Sequence, residues 1–378
     1  MPFSSLGLSP SLLKALAVQK YEKPYPIQEE AIPAILARKD VLGIAQTGSG
    51  KTASYVLPIL MNLQGSISSK NRHVNVLVLV PTRELAVQVR EVFQTFGAAL
   101  PIPVKSLAVY GGVSINPQMM AMQGVHVLVA TPGRLLELVD SNAVHLSSIE
   151  TLVLDEADKM LNLGFKKEVD SILTLLPKRR QNLLFSATLS DDVNNINQVL
   201  LHKPVVIKIE EENNNIDLIT QLAYYNVTEE KKGPLLRYLI KHTDFKQVLV
   251  FTSSVYKADN VADKLRKNGI DAAAIHSKKS QGARTEALSK FKAGTLRVLV
   301  ATDLISRGID IKFLPCVINY ELPRSPKDYV HRIGRTGRAE SAGQAISFVT
   351  AEDEHHFKVI QKKMGKPVTM IDAKGLVL

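Results

Sequence analysis

The stretch Ala45-Gln46-Thr47-Gly48-Ser49-Gly50-Lys51-Thr52 narrows what this chain can fold into more than any other. It follows a short apolar run, Val41 to Ile44, and precedes a helical-looking segment, Ala53 to Leu63. That is the strand–loop–helix setting of a phosphate-binding loop. Gly48 and Gly50 let the backbone curl so that successive N–H groups point inward at a polyphosphate. The helix that starts at Lys51 adds its positive N-terminal end. Lys51 supplies a mobile point charge for the outer phosphates, and the Thr52 hydroxyl suits a Mg²⁺ ion. Ala45 stands where the general pattern has its first glycine. The stretch predicts a nucleoside triphosphate site; the bland alternative is an ordinary glycine-rich turn.

Around this loop strands and helices alternate. The runs Val74 to Val80, Val104 to Val109, Val125 to Ala130, Thr151 to Leu154, Asn182 to Phe185 and Val205 to Ile209 read as strands. Near-continuous apolar runs joined by helices predict a parallel sheet covered on both faces. Ligands gather at the carboxyl ends of such strands. Polar motifs stand at those ends: Pro81-Thr82-Arg83, Tyr110-Gly111-Gly112, Thr131-Pro132-Gly133-Arg134, Asp155-Glu156-Ala157-Asp158 and Ser186-Ala187-Thr188.

Glu210 to Asn215 is polar and aperiodic and reads as a linker. A second alternating series follows, with strands near Gln221–Asn226, Gln247–Phe251, Asp271–Ile275, Arg297–Ala301, Pro315–Asn319 and Gly343–Val349. The expectation is an α/β chain: a lead-in over 1–30, a first domain over 31–209, a linker over 210–217 and a second domain over 218–378. The two halves read as copies of one architecture without a residue-level repeat, and the second lacks a phosphate loop.

A length of 378 residues with 45% hydrophobic side chains suits two domains with cores of their own. The single cysteine, Cys316, excludes an internal disulfide and fits a reducing compartment. No charged segment followed by an apolar one opens the chain at Met1, and no apolar run is long enough to span a bilayer. A cytoplasmic protein without membrane contact is expected. The net charge is +11, with 20 basic against 17 acidic residues over 1–210 and 27 against 19 over 211–378. Such a balance points to a polyanionic partner, nucleic acid being the commonest, though charge alone also fits a soluble basic surface. None of the nine histidines has metal-ligand spacing with other His or Cys, so no zinc site is expected.

Three further signals carry chemistry. Asp155 ends an apolar strand, as the acid that holds Mg²⁺ beside a phosphate loop does. Glu156 beside it can orient and deprotonate an attacking water, whereas an acidic pair without a phosphate loop commonly just caps a helix. Gln28 follows Pro24 and Pro26, which force an extended path. Its amide offers a donor and an acceptor matched to the N6/N7 edge of adenine, although a glutamine after such a turn is usually only a surface residue.

Taken in order, these motifs resemble the DEAD-box RNA helicase family over nearly the whole chain. Asp155-Glu156-Ala157-Asp158 is the motif that names that family. Gln28 with its lead-in, Ala45–Thr52, Pro81–Ala86, Gly111-Gly112, Thr131–Arg134 and Ser186–Thr188 match its other first-domain motifs. In the second half the matches are Val250-Phe251-Thr252, Gln281 with Arg284, Ala301-Thr302-Asp303 with Arg307-Gly308-Ile309-Asp310, and His331-Arg332-Ile333-Gly334-Arg335-Thr336-Gly337-Arg338. The opening Phe3…Leu6-Gly7-Leu8-Ser9 resembles the bacterial RhlE-type subgroup, and Leu304-Ile305-Ser306 departs mildly from the small residues common in the family.

The resemblance implies two tandem RecA-like domains, each a mainly parallel sheet with helices on both faces, and ATP-dependent RNA helicase activity. It implies that Tyr21 stacks on adenine, that Lys23 lines the same pocket, and that Gln28 selects ATP. Ala45, Gln46, Thr47, Gly48, Ser49, Gly50, Lys51 and Thr52 would hold the phosphates, with Mg²⁺ on Thr52 and Asp155, and Asp310 would touch the ribose. Arg335 and Arg338 match positions that reach the γ-phosphate. Asp158, Ser186, Thr188 and His331 would couple the nucleotide to RNA. The RNA itself would lie on Pro81, Thr82, Arg83, Gly111, Gly112, Thr131, Pro132, Gly133, Arg134, Gln281, Arg284, Thr302 and Asp303. Backbone contacts imply little sequence preference. A monomeric core acting on RNA, including ribosomal or messenger ribonucleoproteins, is the expectation; an ATP-gated RNA clamp or remodeller and a DNA translocase remain as alternatives.

Overall fold

The computed structural model describes residues 1–46, 48–65, 71–209, 219–303, 314–337 and 343–376, apart from the side chain at 192. The described chain forms two compact units, Met1–Glu211 and Glu212–Leu378. The linker expected over 210–217 lies outside the described residues.

In the first unit, seven short strands form one sheet: β1 Val41–Ile44, β2 Val76–Leu79, β3 Ser106–Val109, β4 Val127–Ala130, β5 Thr151–Leu154, β6 Gln181–Ser186 and β7 Val205–Lys208. Their order is β3-β4-β2-β5-β6-β1-β7. The second unit has β8 Ile219–Tyr225, β9 Val248–Thr252, β10 Ala272–Ile275, β11 Val298–Thr302, β12 Cys316–Asn319, β13 Gly343–Phe348 and β14 Thr369–Asp372. Here the order is β10-β11-β9-β12-β13-β8-β14. Counted from the first strand of each unit, the two orders are the same. Every strand pair in both sheets is parallel. The chain is thus two tandem RecA-like domains, as the alternating pattern and the resemblance led one to expect.

Side chains alternate faces along a strand, and here both faces are covered. Val76 and Val78 pack with the helices Lys51–Leu63 and Arg83–Gly97, while Leu77 and Leu79 enter a second core with Leu135, Leu138, Val169 and Ile172. The second sheet divides likewise, with Val248 and Val250 on one side and Leu249 and Phe251 on the other. This explains why the strands read as unbroken apolar runs. One strand was not expected: β14, at the sheet edge beside β8, is largely exposed and so carries no apolar run. Among the described residues no helix is long and apolar enough to cross a membrane.

Gly43 marks the tightest point of the first sheet. It lies on β1 opposite Phe185 of β6, and a Cβ there would stand 2.5 Å from that ring. The ring is fully buried, with Tyr55 at 5.3 Å between centroids, so it has nowhere to go. Gly43→Ala is expected to destabilise the first unit by about 1–3 kcal/mol, the usual cost of overpacking. Denaturant unfolding followed by far-ultraviolet circular dichroism reads this; a wild-type midpoint means that the ring yields.

Candidate functional site

The strand order sorts the motifs. β5, β6 and β1 are neighbours, so Asp155, Ser186 and the loop from Ala45 emerge side by side. β3, β4 and β2 are also neighbours, and they deliver Tyr110-Gly111-Gly112, Thr131–Arg134 and Pro81–Arg83 to the other half of the same carboxyl edge.

In the first group, Gly50 precedes the helix Lys51–Leu63 with φ +88°, the left-handed region that favours glycine. A Cβ there would stand 2.5 Å from Nε2 of Gln28 and 2.8 Å from the Tyr25 ring. Gln28 is fully buried, and its Nε2 donates to the Gly50 carbonyl at 3.1 Å. Its Oε1 accepts from the Tyr25 N–H at 2.9 Å. The residue expected to read a base therefore also holds the end of the phosphate loop. Ala45 is buried, and its N–H donates to the Ser186 carbonyl at 3.0 Å, prolonging the β1–β6 ladder. Lys51 folds back so that its ammonium donates to the Ala45 carbonyl. Gln46, Gly48, Ser49 and Thr52 are partly exposed along the loop. Tyr21 packs edge-on against Phe3 and Phe96, and Lys23 is exposed beside it in sequence.

Three charged groups are buried together. Burial lowers the pKa of Lys51 and raises those of Asp155 and Glu156, each against the pull of its oppositely charged neighbours. Asp155 is braced on both oxygens: the Tyr55 hydroxyl donates to Oδ2 at 2.8 Å and the Glu156 N–H to Oδ1 at 2.8 Å. Glu156 has φ +50°, an uncommon conformation for a side chain of its size. Its Oε1 accepts from Lys159 Nζ at 2.7 Å, while its buried Oε2 has no partner among the described residues. Asp158 accepts from the Thr188 hydroxyl at 3.0 Å, and the Ser186 hydroxyl donates to the Thr188 carbonyl at 2.7 Å. Asp158, Ser186 and Thr188 thus form one small network, whereas His331, expected with them, lies in the second unit.

In the second group, Thr82 caps the helix Arg83–Gly97, its Oγ1 accepting from the Leu85 N–H at 3.3 Å. Arg83 reaches across to the glycine loop, where a Cβ on Gly112 would stand 2.1 Å from its guanidinium. Gly112 has φ +75°. Arg134 donates through Nη2 to the Val113 carbonyl and through Nε to Glu137, both at 2.8 Å. Pro81, Thr131 and Pro132 are buried at the strand ends, whereas Gly111 and Gly133 are partly exposed.

In the second unit, Gln281 and Arg284 follow β10 on the helix Gln281–Lys292, and Thr302 and Asp303 end β11. These occupy the half of the edge that corresponds to β3 and β4 of the first unit. Asp303 is gripped by Arg332 at 2.6 and 2.7 Å, and Arg332 also donates to Asn319 and the Glu321 carbonyl. His331 lies on the helix Pro326–Ile333, and Arg335, buried, follows it. Thr47, Asp310 and Arg338 lie outside the described residues. Among the described residues the second unit shows no counterpart of the phosphate loop: after β8 the chain passes through Asn226-Val227-Thr228 straight into the helix Glu229–His242. Its buried Lys232 is closed by Glu229 and faces the Tyr320 ring, and Lys257 links Glu229 to Glu321.

Sequence reading missed Tyr55 and Lys159, which brace the two catalytic candidates, and it placed Arg332 in a motif without the role seen here, the grip on Asp303. For Tyr55 a signal existed: it lies four residues after Lys51, on the same helix face, and a wholly buried tyrosine hydroxyl needs a partner.

Residues 25–196 match the family described as DEAD/DEAH box helicase, and residues 231–340 match the helicase conserved C-terminal domain. The chain is 40% identical over 378 residues to the DEAD-box ATP-dependent RNA helicase CshA of Geobacillus kaustophilus, covering 98% of this chain and 79% of that protein. It is 39% identical over 373 residues to the ATP-dependent RNA helicase DeaD of Buchnera aphidicola, covering 98% and 61%. S. cerevisiae Dbp5 bound to RNA and ADP BeF3 superposes with a TM-score of 0.84 at 31% identity, covering 98% of this chain and 95% of that one. A DEAD box protein from Methanococcus jannaschii gives 0.55 at 36% identity, covering 98% and 99%.

Tyr55→Phe tests the bracing of Asp155. It removes one hydroxyl but leaves a buried carboxylate with one donor fewer, so a loss of about 1–3 kcal/mol is expected. Equilibrium unfolding measures it, and an unchanged midpoint would show that the hydroxyl contributes nothing.

Proposed function

The chain belongs to the DEAD-box RNA helicase family and is an ATP-dependent RNA helicase, and on that premise we propose how its own residues do the work. The observation that carries the proposal is the buried cluster of Lys51, Asp155 and Glu156 beside a glycine-rich loop. Lys51 leaves the Ala45 carbonyl and turns its ammonium to the outer phosphates of ATP. The N–H groups of the loop hold the same oxygens. The remaining donor and acceptor of the Gln28 amide suit the adenine edge.

A magnesium ion fits this site on chemical grounds. Thr52 and Asp155 offer hard oxygens, and the neighbouring Glu156 has a buried Oε2 with no hydrogen-bond partner among the described residues. Mg²⁺ characteristically takes one or two protein oxygens together with substrate phosphates and waters. When bound to Thr52 and Asp155, it supplies positive charge against that of the phosphates. Glu156 accepts a proton from the water that attacks the γ-phosphorus, while the bond to the β-phosphate oxygen breaks to leave ADP. Arg335 and Arg338 stabilise the charge that develops, a task suited to a permanently charged guanidinium with two parallel donors.

RNA is proposed to lie over the other half of the carboxyl edge: Pro81–Arg83, Gly111-Gly112 and Thr131–Arg134 in the first unit, Gln281, Arg284, Thr302 and Asp303 in the second. Helix N-termini, exposed backbone and guanidinium groups all favour phosphate over base contacts. Ribonucleoproteins as targets, a monomeric core and a cytoplasmic setting belong to this reading. Placement in the RhlE-type subgroup rests on the opening Phe3…Leu6-Gly7-Leu8-Ser9 and on the lack of insertions relative to the family.

Glu156→Gln keeps size and hydrogen bonding but removes the base, so ATP and RNA binding should persist while hydrolysis is lost. Loss of ATP binding in that variant would contradict the role assigned to Glu156. A second expectation concerns reach. Coupling energies between sites are typically about 1–3 kcal/mol, and stacking in a DNA duplex averages roughly 1.4 kcal/mol per step. If RNA steps cost at least as much, one ATP-driven closure opens only a few base pairs. Displacement should therefore fall steeply with duplex length under single-cycle conditions; separation of several tens of base pairs in one binding event is incompatible with it.

A further inference from the structure

The loop that carries Gly111-Gly112 is closed at both ends by one side chain. Gln118, on the short helix Asn116–Ala121, accepts from the Tyr110 N–H at 2.9 Å through Oε1. Its Nε2 donates to the Tyr110 carbonyl at 3.3 Å and to the Ser114 carbonyl at 3.1 Å. Between those ends Gly112, Val113 and Ser114 are exposed. The Arg83 guanidinium lies against Gly112, and Arg134 holds the Val113 carbonyl. Gln118 is partly exposed and belongs to none of the apolar cores. Its amide is spent on the shape of this loop.

Tyr110 and Ile115 pack against the apolar cores, but the exposed residues between them, Gly112 with φ +75°, Val113 and Ser114, belong to neither core. Held in one conformation, this segment would not lose backbone freedom on meeting a ligand. A carboxamide is suited to the task because it accepts from an N–H with one atom and donates to two carbonyls with the other. We propose that Gln118 is a positioning residue for the RNA backbone, fixing Tyr110–Ser114 so that its exposed backbone and Arg83 present one preformed surface to phosphates. This inference rests on the RNA reading given above.

The test uses the whole chain, with single-stranded polyuridine as the probe and ATPase as the readout. Gln118→Ala should raise the RNA concentration for half-maximal stimulation by about tenfold, the factor that roughly one net hydrogen bond represents. The KM for ATP should stay within about twofold, because the ATP loop is untouched. Gln118→Glu keeps the bond from the Tyr110 N–H but sets a carboxylate against two carbonyl oxygens. It should weaken RNA at least as much as alanine does, and it carries the test should the alanine variant not fold. A merely structural role would instead lower thermal stability and shift the KM for ATP together. A folded variant with unchanged half-saturating RNA overturns the proposal. Arg83→Ala run in parallel separates the two levels. If it weakens RNA and the Gln118 variants do not, the clamp alone falls; if none of them does, the assignment of this edge to RNA falls as well.

Discussion

Lys51, Asp155 and Glu156 are held out of water at the end of one parallel sheet, and burial opposes the charge of each. A buried charge is tolerated only where partners surround it. Much of the local structure supplies those partners: the Tyr55 hydroxyl, the Glu156 N–H, Lys159 and the Ala45 carbonyl. The set is incomplete, since one oxygen of Glu156 and one of Asp158 remain without a partner among the described residues. On the function proposed above, such a cluster stands to gain from a ligand that brings phosphates and a cation together.

The sheet order then decides what else stands near these charges. Because β5, β6 and β1 adjoin, the nucleotide motifs gather on one half of the edge, and because β3, β4 and β2 adjoin, the proposed RNA motifs gather on the other. On that proposal, two regions for different ligands arise from one topology without any added element. The second unit repeats the topology but not the chemistry. Where the first has an exposed glycine loop and a lysine resting on a carbonyl, the second runs directly from strand to helix. Its Lys232 and Lys257 are already engaged by Glu229 and Glu321. Cations neutralised from within attract a polyphosphate poorly, which fits the proposal that the triphosphate binds on the first unit.

Much of this was legible in the sequence, and the exceptions share a cause. The strands of both cores were visible because parallel strands covered on two faces must be apolar throughout. The edge strand Thr369–Asp372, half in solvent, gave no such run. The phosphate loop and Asp155-Glu156 could be read because glycine, lysine and acid stand close together in the chain, in an order that chemistry dictates. Tyr55 could not be matched to Asp155, from which it stands 100 residues away. That pairing exists only once the sheet has formed. Gln28 was read for its amide and its place before the loop, yet its bond to the Gly50 carbonyl was not foreseeable. Gln118 was passed over for the same reason, since it supports a motif from outside it. Arg332, though within the His331–Arg338 stretch, was given no role because its partner Asp303 stands in another motif.

How far a change at the phosphates can be felt at the other half of the edge follows from these contacts. Asp158 lies two residues beyond Glu156, on the helix after β5, the strand that borders β2. Its bond from the Thr188 hydroxyl ties it to the segment after β6. One such hydrogen bond contributes about 0.5–1.5 kcal/mol net, overlapping only the lower part of the roughly 1–3 kcal/mol over which sites are usually coupled. Alone it would supply at most a weak coupling. The Ser186–Thr188 contact and the Asp155–Tyr55 brace attach to the same strand ends and supply further terms of that size. Coupling distributed over several modest bonds predicts graded losses when any one is removed, whereas removal of Glu156 or Lys51, in the roles proposed above, would act on the chemistry itself. The physical distinction between a relay and a catalyst in this chain is therefore one of magnitude.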